Sequence, residues 1–162
     1  MPIKEKNQTT ALDVAFYFIK KGREEGKPIT NKKLQKLVYY AQAWSLVLNN
    51  EKLFNERIEA WVHGPAIPDL YDKFKKFGAE PISVDEKDLH FSLSDKQVEV
   101  LDNVWKVYGK YDANYLEVLT HSELPWQEAR TGLEISDTSN NEISEESIKN
   151  FYSEKLAKTQ NG

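Results

Sequence analysis

The sequence predicts a mainly α fold: a single-domain helical bundle of about six to seven helices with a small two-stranded β element. Three observations predict it. Apolar residues recur at three- and four-residue spacing along most of the chain, and these repeats begin at Ser, Thr or Asp residues suited to helix N-caps. A period of two appears between Phe54 and Val62, where it breaks the helical pattern. A length of 162 residues with 40% hydrophobic content supports one core, burying roughly two-thirds of the surface that the unfolded chain exposes.

The elements follow in order. Thr10 and Asp13 have capping-box spacing, and Ala11, Leu12, Ala15, Phe16 and Ile19 continue at helical intervals, widened by Val14 and Phe18. Gly22 and Gly26 loosen the end of this helix, and KPIT breaks it. Thr30 caps a second helix, the strongest in the chain, whose apolar stripe is Leu34, Leu37, Val38, Ala41, Trp44, Ser45 and Leu48. Lys32, Lys33, Gln35, Lys36 and Gln42 fall elsewhere on that cylinder, and Lys27, Lys32, Lys33 and Lys36 read as a solvated face. Trp44 is expected in the core and Tyr40 nearer the edge of the stripe. Asn49 and Asn50 end the helix.

Between Phe54 and Val62, Ile58, Ala60 and Val62 lie on one side of a strand and Arg57, Glu59 and Trp61 on the other, with PISV at 81–84 as its candidate partner. Pro68 suits the first turn of a helix bearing Leu70, Tyr71, Phe74 and Phe77, which Gly78 stops. SDKQ at 94–97 opens a helix through Tyr108, with Val98, Leu101, Val104, Trp105 and Tyr108 inward. Asp112 caps a helix carrying Tyr115, Leu116 and Leu119, and Trp126 to Arg130 make one or two turns. After a Ser/Thr/Asn/Glu-rich connector at 134–147, Ser144 between Ile143 and Ile148 has the arrangement of an N-cap with a hydrophobic staple. It opens a docked C-terminal helix with Phe151, Tyr152 and Lys155. The organisation expected is an extension at 1–10, one domain at 11–156 and a tail at 157–162.

Composition narrows the function. Lys and Arg number 22 against 26 Asp and Glu, a net charge of -4, which lacks the cation surplus of a general nucleic-acid clamp. Without cysteine there is no disulfide, thiolate metal site or thiol nucleophile. No apolar run approaches the roughly 20 residues of a membrane span, and the N-terminus lacks the apolar stretch of a signal peptide, so a cytoplasmic address is expected. No G-x-S-x-G, P-loop, G-x-G-x-x-G or H-E-x-x-H motif occurs, and His63, His90 and His121 are not paired at i, i+4. No enzyme activity, cofactor or metal is expected.

Three segments stand apart from ordinary core: Trp61-x-His63-Gly64-Pro65, Thr120-His121 with Pro125-Trp126, and Ala129-Arg130. Each couples an aromatic or a cation to a chain break. A Gly between His and Pro suits a tight reversal, because Gly64 is free to take positive φ where the turn requires it. One reading has Trp61 and Trp126 sealing the ends of the helix pack, with Arg130 satisfying helix C-terminal carbonyls. The other is a partner-binding patch of Tyr40, Trp61, His63, Gly64, Pro65, His121, Trp126 and Arg130, because Trp, Tyr and Arg anchor interfaces. Two alternatives stay open. One is a small histidine-dependent hydrolase or metal enzyme that combines His63 and His121 with Asp69 or Glu123. The other is a nucleic-acid-associated regulator that uses Lys27 to Lys36.

LQKLVYYAQAW at 34–44, IEAWVHGPAIPDLYDKF at 58–74, LTHSELPWQEAR at 119–130 and ISEESIKNFY at 143–152 together resemble the Panacea-domain proteins, the SocA-like antitoxins and phage-associated GepA-type proteins. The likeness runs from about residue 11 to 152 in the family's order. It implies a mainly helical domain at 11–156 with a small strand element and no enzymatic activity. It also implies a toxin–antitoxin system in which the domain neutralises a cognate toxin protein encoded beside it. One family member delivers its toxin to the ClpXP protease, which makes that protease an implied second partner.

Overall fold

Every helix start expected from capping chemistry is present in the computed structural model, which describes residues 8–161. Residues 1–7 of the expected extension and Gly162 lie outside the described residues. Among the described residues seven α-helices are formed: α1 (Ala11–Glu24), α2 (Asn31–Leu48), α3 (Pro68–Phe74), α4 (Asp95–Tyr108), α5 (Ala113–His121), α6 (Leu124–Ala129) and α7 (Glu145–Asn161). Strands β1 (Glu59–Trp61) and β2 (Gly64–Ala66) pair between α2 and α3. Reciprocal capping boxes at Thr10 and Ser94 open α1 and α4, while the side chains of Thr30 and Asp112 cap α2 and α5. The Ser144 hydroxyl accepts from the Ser147 N–H at 3.0 Å and starts α7. That helix continues past residue 156, so the expected tail is helical through Asn161.

α2 is the axis of the molecule: α1, α3, α4, α5, α7 and β2 all pack against it. Its burial is therefore not confined to one stripe. Leu34, Leu37, Val38, Tyr39, Tyr40, Ala41 and Ala43 are buried, and so are Asn31, Gln35, Lys36, Gln42 and Ser45. Leu48 is 47% exposed, so the stripe ends before it. The buried polar side chains bond to backbone that regular structure leaves unpaired. Gln42 donates to Phe54 O at 2.8 Å and accepts from the N–H groups of Leu53 and Phe54 at 2.6 and 3.3 Å. Gln35 accepts from Ile67 N–H at 2.8 Å, Lys36 donates to Pro65 O at 3.0 Å and Ser45 donates to Glu51 O at 2.7 Å. Asn31 donates to Tyr71 O at 3.2 Å.

The partner of β1 is not the segment at 81–84. β1 pairs with β2 in the register Glu59↔Ala66, Ala60↔Pro65, Trp61↔Gly64, because Val62 and His63 reverse the chain at once and closing so short a loop costs little entropy. Residues 81–84 instead lie beside the entry to α2, where Ile82 N–H donates to Ile29 O at 2.8 Å. The other edge of β1 is met by the connector before α7: Ala60 N–H donates to Asn141 O at 2.8 Å and Ile143 N–H to Ile58 O at 2.9 Å.

Burying Lys36 has a consequence for stability. Desolvation lowers its ammonium to about 7, with Lys32 pushing the same way and Glu117 opposing. Between pH about 7 and about 10 the unfolded chain then holds a proton that the folded chain has released, so stability rises with pH by at most about 1.4 kcal/mol per unit. Above about pH 10 the slope reverses, because burial raises Tyr39, Tyr40, Tyr108 and Tyr152 and keeps them neutral while the unfolded chain ionises. Denaturation midpoints measured across this range are expected to climb and then fall, and Lys36→Met to flatten the climbing limb. A wild-type profile flat between pH about 7 and about 10 would refute the lowering of Lys36 by burial.

Candidate partner-binding face

At the hairpin turn, Gly64 has a φ of +108°, the left-handed half of the map that side chains disfavour. The turn presses against α2 and α5. A Cβ on Gly64 would lie 2.6 Å from Lys36 Cε and 2.9 Å from Thr120 Oγ1. From the other side α6 holds the carbonyls of β1. Trp126 Nε1 donates to Trp61 O at 2.8 Å, and an Arg130 N–H donates to Ala60 O at 2.9 Å. The His121 ring stacks on Trp126 with centroids 4.0 Å apart, and the Arg130 guanidinium lies 5.0 Å from the same indole centroid.

Outside this layer is a rim. The Trp61 indole N–H donates to Glu59 Oε1 at 2.9 Å, and its ring meets Tyr71 edge-on with centroids 5.0 Å apart. His63 Nδ1 lies 3.3 Å from Glu117 Oε2, and Glu117 also pairs with Lys32. Partial desolvation raises the Glu117 carboxyl, but the hydrogen bonds from Lys32 and His63 outweigh it and hold the group below its ordinary value. Burial lowers His121, outweighing Glu117 and a backbone hydrogen bond with Val62, and its Nε2 has no partner among the described residues. A groove of about 230 Å³ runs beside the turn, lined by Trp61, Val62, His63, Thr138, Ser139 and Asn140.

The three distinctive segments thus converge, but their side chains divide by depth. His63 is exposed, and Trp61 and His121 are half-buried. Gly64, Pro65, Trp126 and Arg130 are buried beneath them. Tyr40 is fully buried while Trp44 is half-buried, the reverse of the sequence expectation. The reason is Glu123, a buried carboxylate just before α6. It accepts from the hydroxyls of Tyr40 at 2.7 Å and Tyr152 at 2.8 Å, with Lys155 at 3.2 Å. Tyr40 also stacks on Tyr108 with centroids 3.9 Å apart.

Neither alternative set of residues assembles. Glu123 faces this tyrosine cluster rather than the two histidines, and among the described residues no three His, Asp or Glu side chains are grouped to hold an ion. The lysines do not form a common solvated face. Lys36 is buried, Lys32 is paired with Glu117, and Lys33 donates to Gly109 O at 2.6 Å over the Trp105 ring. Sequence reasoning missed Glu117 and the wall at Thr138–Asn140. It weighed Glu123 only for a metal or acid–base role, although a lone acid in SELPW with tyrosine-rich helices elsewhere is a signal for a buried hydrogen-bond acceptor.

Fold and face together define a small, mainly helical domain that presents a β-hairpin and two short helices as one aromatic surface with a polar rim. Residues 34–127 match the family described as Antitoxin SocA-like, Panacea domain. Over 143 residues the chain is 32% identical to Antitoxin SocA of Caulobacter vibrioides (strain NA1000 / CB15N), a match covering 81% of this chain and 76% of that protein. The chain belongs to the SocA-like, Panacea-domain family. No solved structure matches it. Among the described residues, no helix is long and apolar enough to cross a membrane.

Two substitutions test the frame. Gly64→Ala is expected to cost about 1 kcal/mol or more, from positive φ and the close approach to Lys36 and Thr120. An unchanged melting temperature would contradict the geometry of the turn. Glu123→Ala strands two buried hydroxyls and is expected to cost about 3 kcal/mol or more in denaturant titration. A loss of only a few tenths would show that the network contributes little.

Proposed function

We propose that this chain is an antitoxin that neutralises a cognate protein toxin by direct binding, and that the hairpin face is its contact surface. Kinship with an antitoxin supports the class. The observation that carries the siting is the accessible rim of Trp61, His63 and Tyr71 standing on backbone held by Trp126, Arg130 and Lys36. Interfaces are anchored by aromatic and Arg side chains at well-packed positions, and a rim that is already rigid loses little freedom on binding. The groove beside Trp61 offers a recess for one partner side chain. On this reading the chain acts by occupancy rather than turnover, in the cytoplasm, through the domain at 11–156.

Neutralisation has two forms, masking the toxin and delivering it to the ClpXP protease. Protection that persists in cells lacking ClpXP marks masking, and protection lost there marks delivery. For the face itself, Trp61→Ala is expected to stay folded and to weaken toxin binding about tenfold or more, with a smaller loss for His63→Ala. Co-expression with the product of the neighbouring gene reads this as lost protection. Full protection by folded Trp61→Ala, His63→Ala and Tyr71→Ala variants would move the interface elsewhere.

A further inference from the structure

Arg130 is 4% exposed, yet among the described residues no carboxylate lies within ion-pair distance of it. A buried cation ordinarily needs compensation. Here it comes from backbone carbonyls. Nη1 of the guanidinium donates to Ala60 O on β1, and the two N–H groups of Nη2 are shared among Glu134 O at 3.1 Å, Ile135 O at 3.3 Å and Asp137 O at 2.6 Å. Three of the four acceptors belong to one short segment after α6. Further bonds shape the same segment: Leu133 N–H donates to Arg130 O at 3.0 Å, and Glu134 N–H donates to the Asp137 carboxylate at 2.8 Å. Gly132, at φ +86°, turns the chain off the end of α6.

Carbonyls drawn inward to one cation leave side chains turned outward. Leu133 is 38% exposed and Ile135 70% exposed, two apolar side chains two residues apart in the segment that leads along the chain to Thr138–Asn140 of the groove wall. The local sequence is one-signed. From Thr131 to Ser147 the chain carries Glu134, Asp137, Glu142, Glu145 and Glu146 with no Lys or Arg. Glu142 and Glu145 are paired with Arg57 and Lys52, whereas Glu134, Asp137 and Glu146 have no ion pair among the described residues. An exposed isoleucine on a fixed loop with an acidic border is complementary to an apolar recess with a basic border.

We propose that residues 133–137 are a preformed binding arm, shaped by Arg130, which places Ile135 in an apolar socket bordered by Lys or Arg on the toxin. The inference rests on the antitoxin reading and names the chemistry of its partner. Arg130 is thereby a positioning residue: it reaches the toxin through the arm, not by touching it.

The test is a titration of the full chain with the purified product of the neighbouring gene at low and high salt, alongside co-expression. Ile135→Asp is expected to melt with the wild type and to bind at least tenfold more weakly. Glu134→Lys is expected to weaken binding about threefold or more and to reduce its loss with added salt. Arg130→Ala is expected to weaken binding as much as Ile135→Asp, with the double variant no weaker than either single, because both disable the same arm. If Arg130→Ala fails to fold, the Ile135 and Glu134 variants decide. Binding by Ile135→Asp within twofold of wild type, while Trp61→Ala is impaired, overturns the arm and leaves the antitoxin reading standing. A wild-type chain that neither binds nor protects fails that reading and the arm with it. A wild-type dimer in sedimentation that Ile135→Asp dissociates assigns the arm to a second copy of this chain and overturns the proposal.

Discussion

The fold depends on hydrogen bonds made by the polar side chains of α2, a helix surrounded by other elements on nearly every side. Residues 51–67 cross it with only a three-residue hairpin pair for regular structure, so much of their backbone has no strand or helix partner. A buried N–H or C=O left unpaired costs about 1–3 kcal/mol, and Gln42 alone satisfies three such groups. Gln35, Lys36 and Ser45 do the same at other turns of the helix. The helix serves as a row of surrogate partners for an irregular segment. The position of the hairpin turn, and with it the candidate face, follows from which of these side chains meets which carbonyl.

Residues whose role is set within four positions were legible in the sequence. Thr10 with Asp13, Ser94 with Gln97, Asp112 and Ser144 cap helices because a side-chain oxygen three residues before an N–H needs no distant help. Gly64 was legible for the same reason: reversing the chain before a proline calls for a residue free to take positive φ. Gln35, Lys36 and Gln42 were not, since hydrophobic periodicity assigns polar residues to solvent and cannot register a helix whose surroundings supply acceptors on every side. Strand pairing failed at 81–84 because a two-residue turn closes first, and composition alone does not rank the two partners.

For the candidate face, the convergence of HGP, THSELPW and Arg130 was visible as aromatic residues at chain breaks, while the depth of each side chain was not. Arg130 illustrates why. Its partners are main-chain oxygens at 60, 134, 135 and 137, and every residue type presents the same oxygen, so no pattern of letters marks the contact. The exchange of Tyr40 and Trp44 has a similar cause. Both lie on the inner half of α2, and what draws Tyr40 fully inward is a carboxylate 83 positions away.

Glu123, Trp126 and Arg130 make the short helix α6 a coupling element. Glu123 bonds into the tyrosine cluster of α2 and α7, Trp126 holds Trp61 O, and Arg130 holds both Ala60 O and the loop after α6. A six-residue helix has little stability of its own, so it stays formed because both ends are tied. The core fixes one end and the hairpin the other, and the groove between Trp61 and Thr138–Asn140 inherits that rigidity. On the proposed reading, binding and stability are consequently separable only at the outermost layer. Trp61, His63, Glu134 and Ile135 reach solvent without supporting the frame's central bonds, whereas altering Trp126 or Arg130 changes the frame and the surface together.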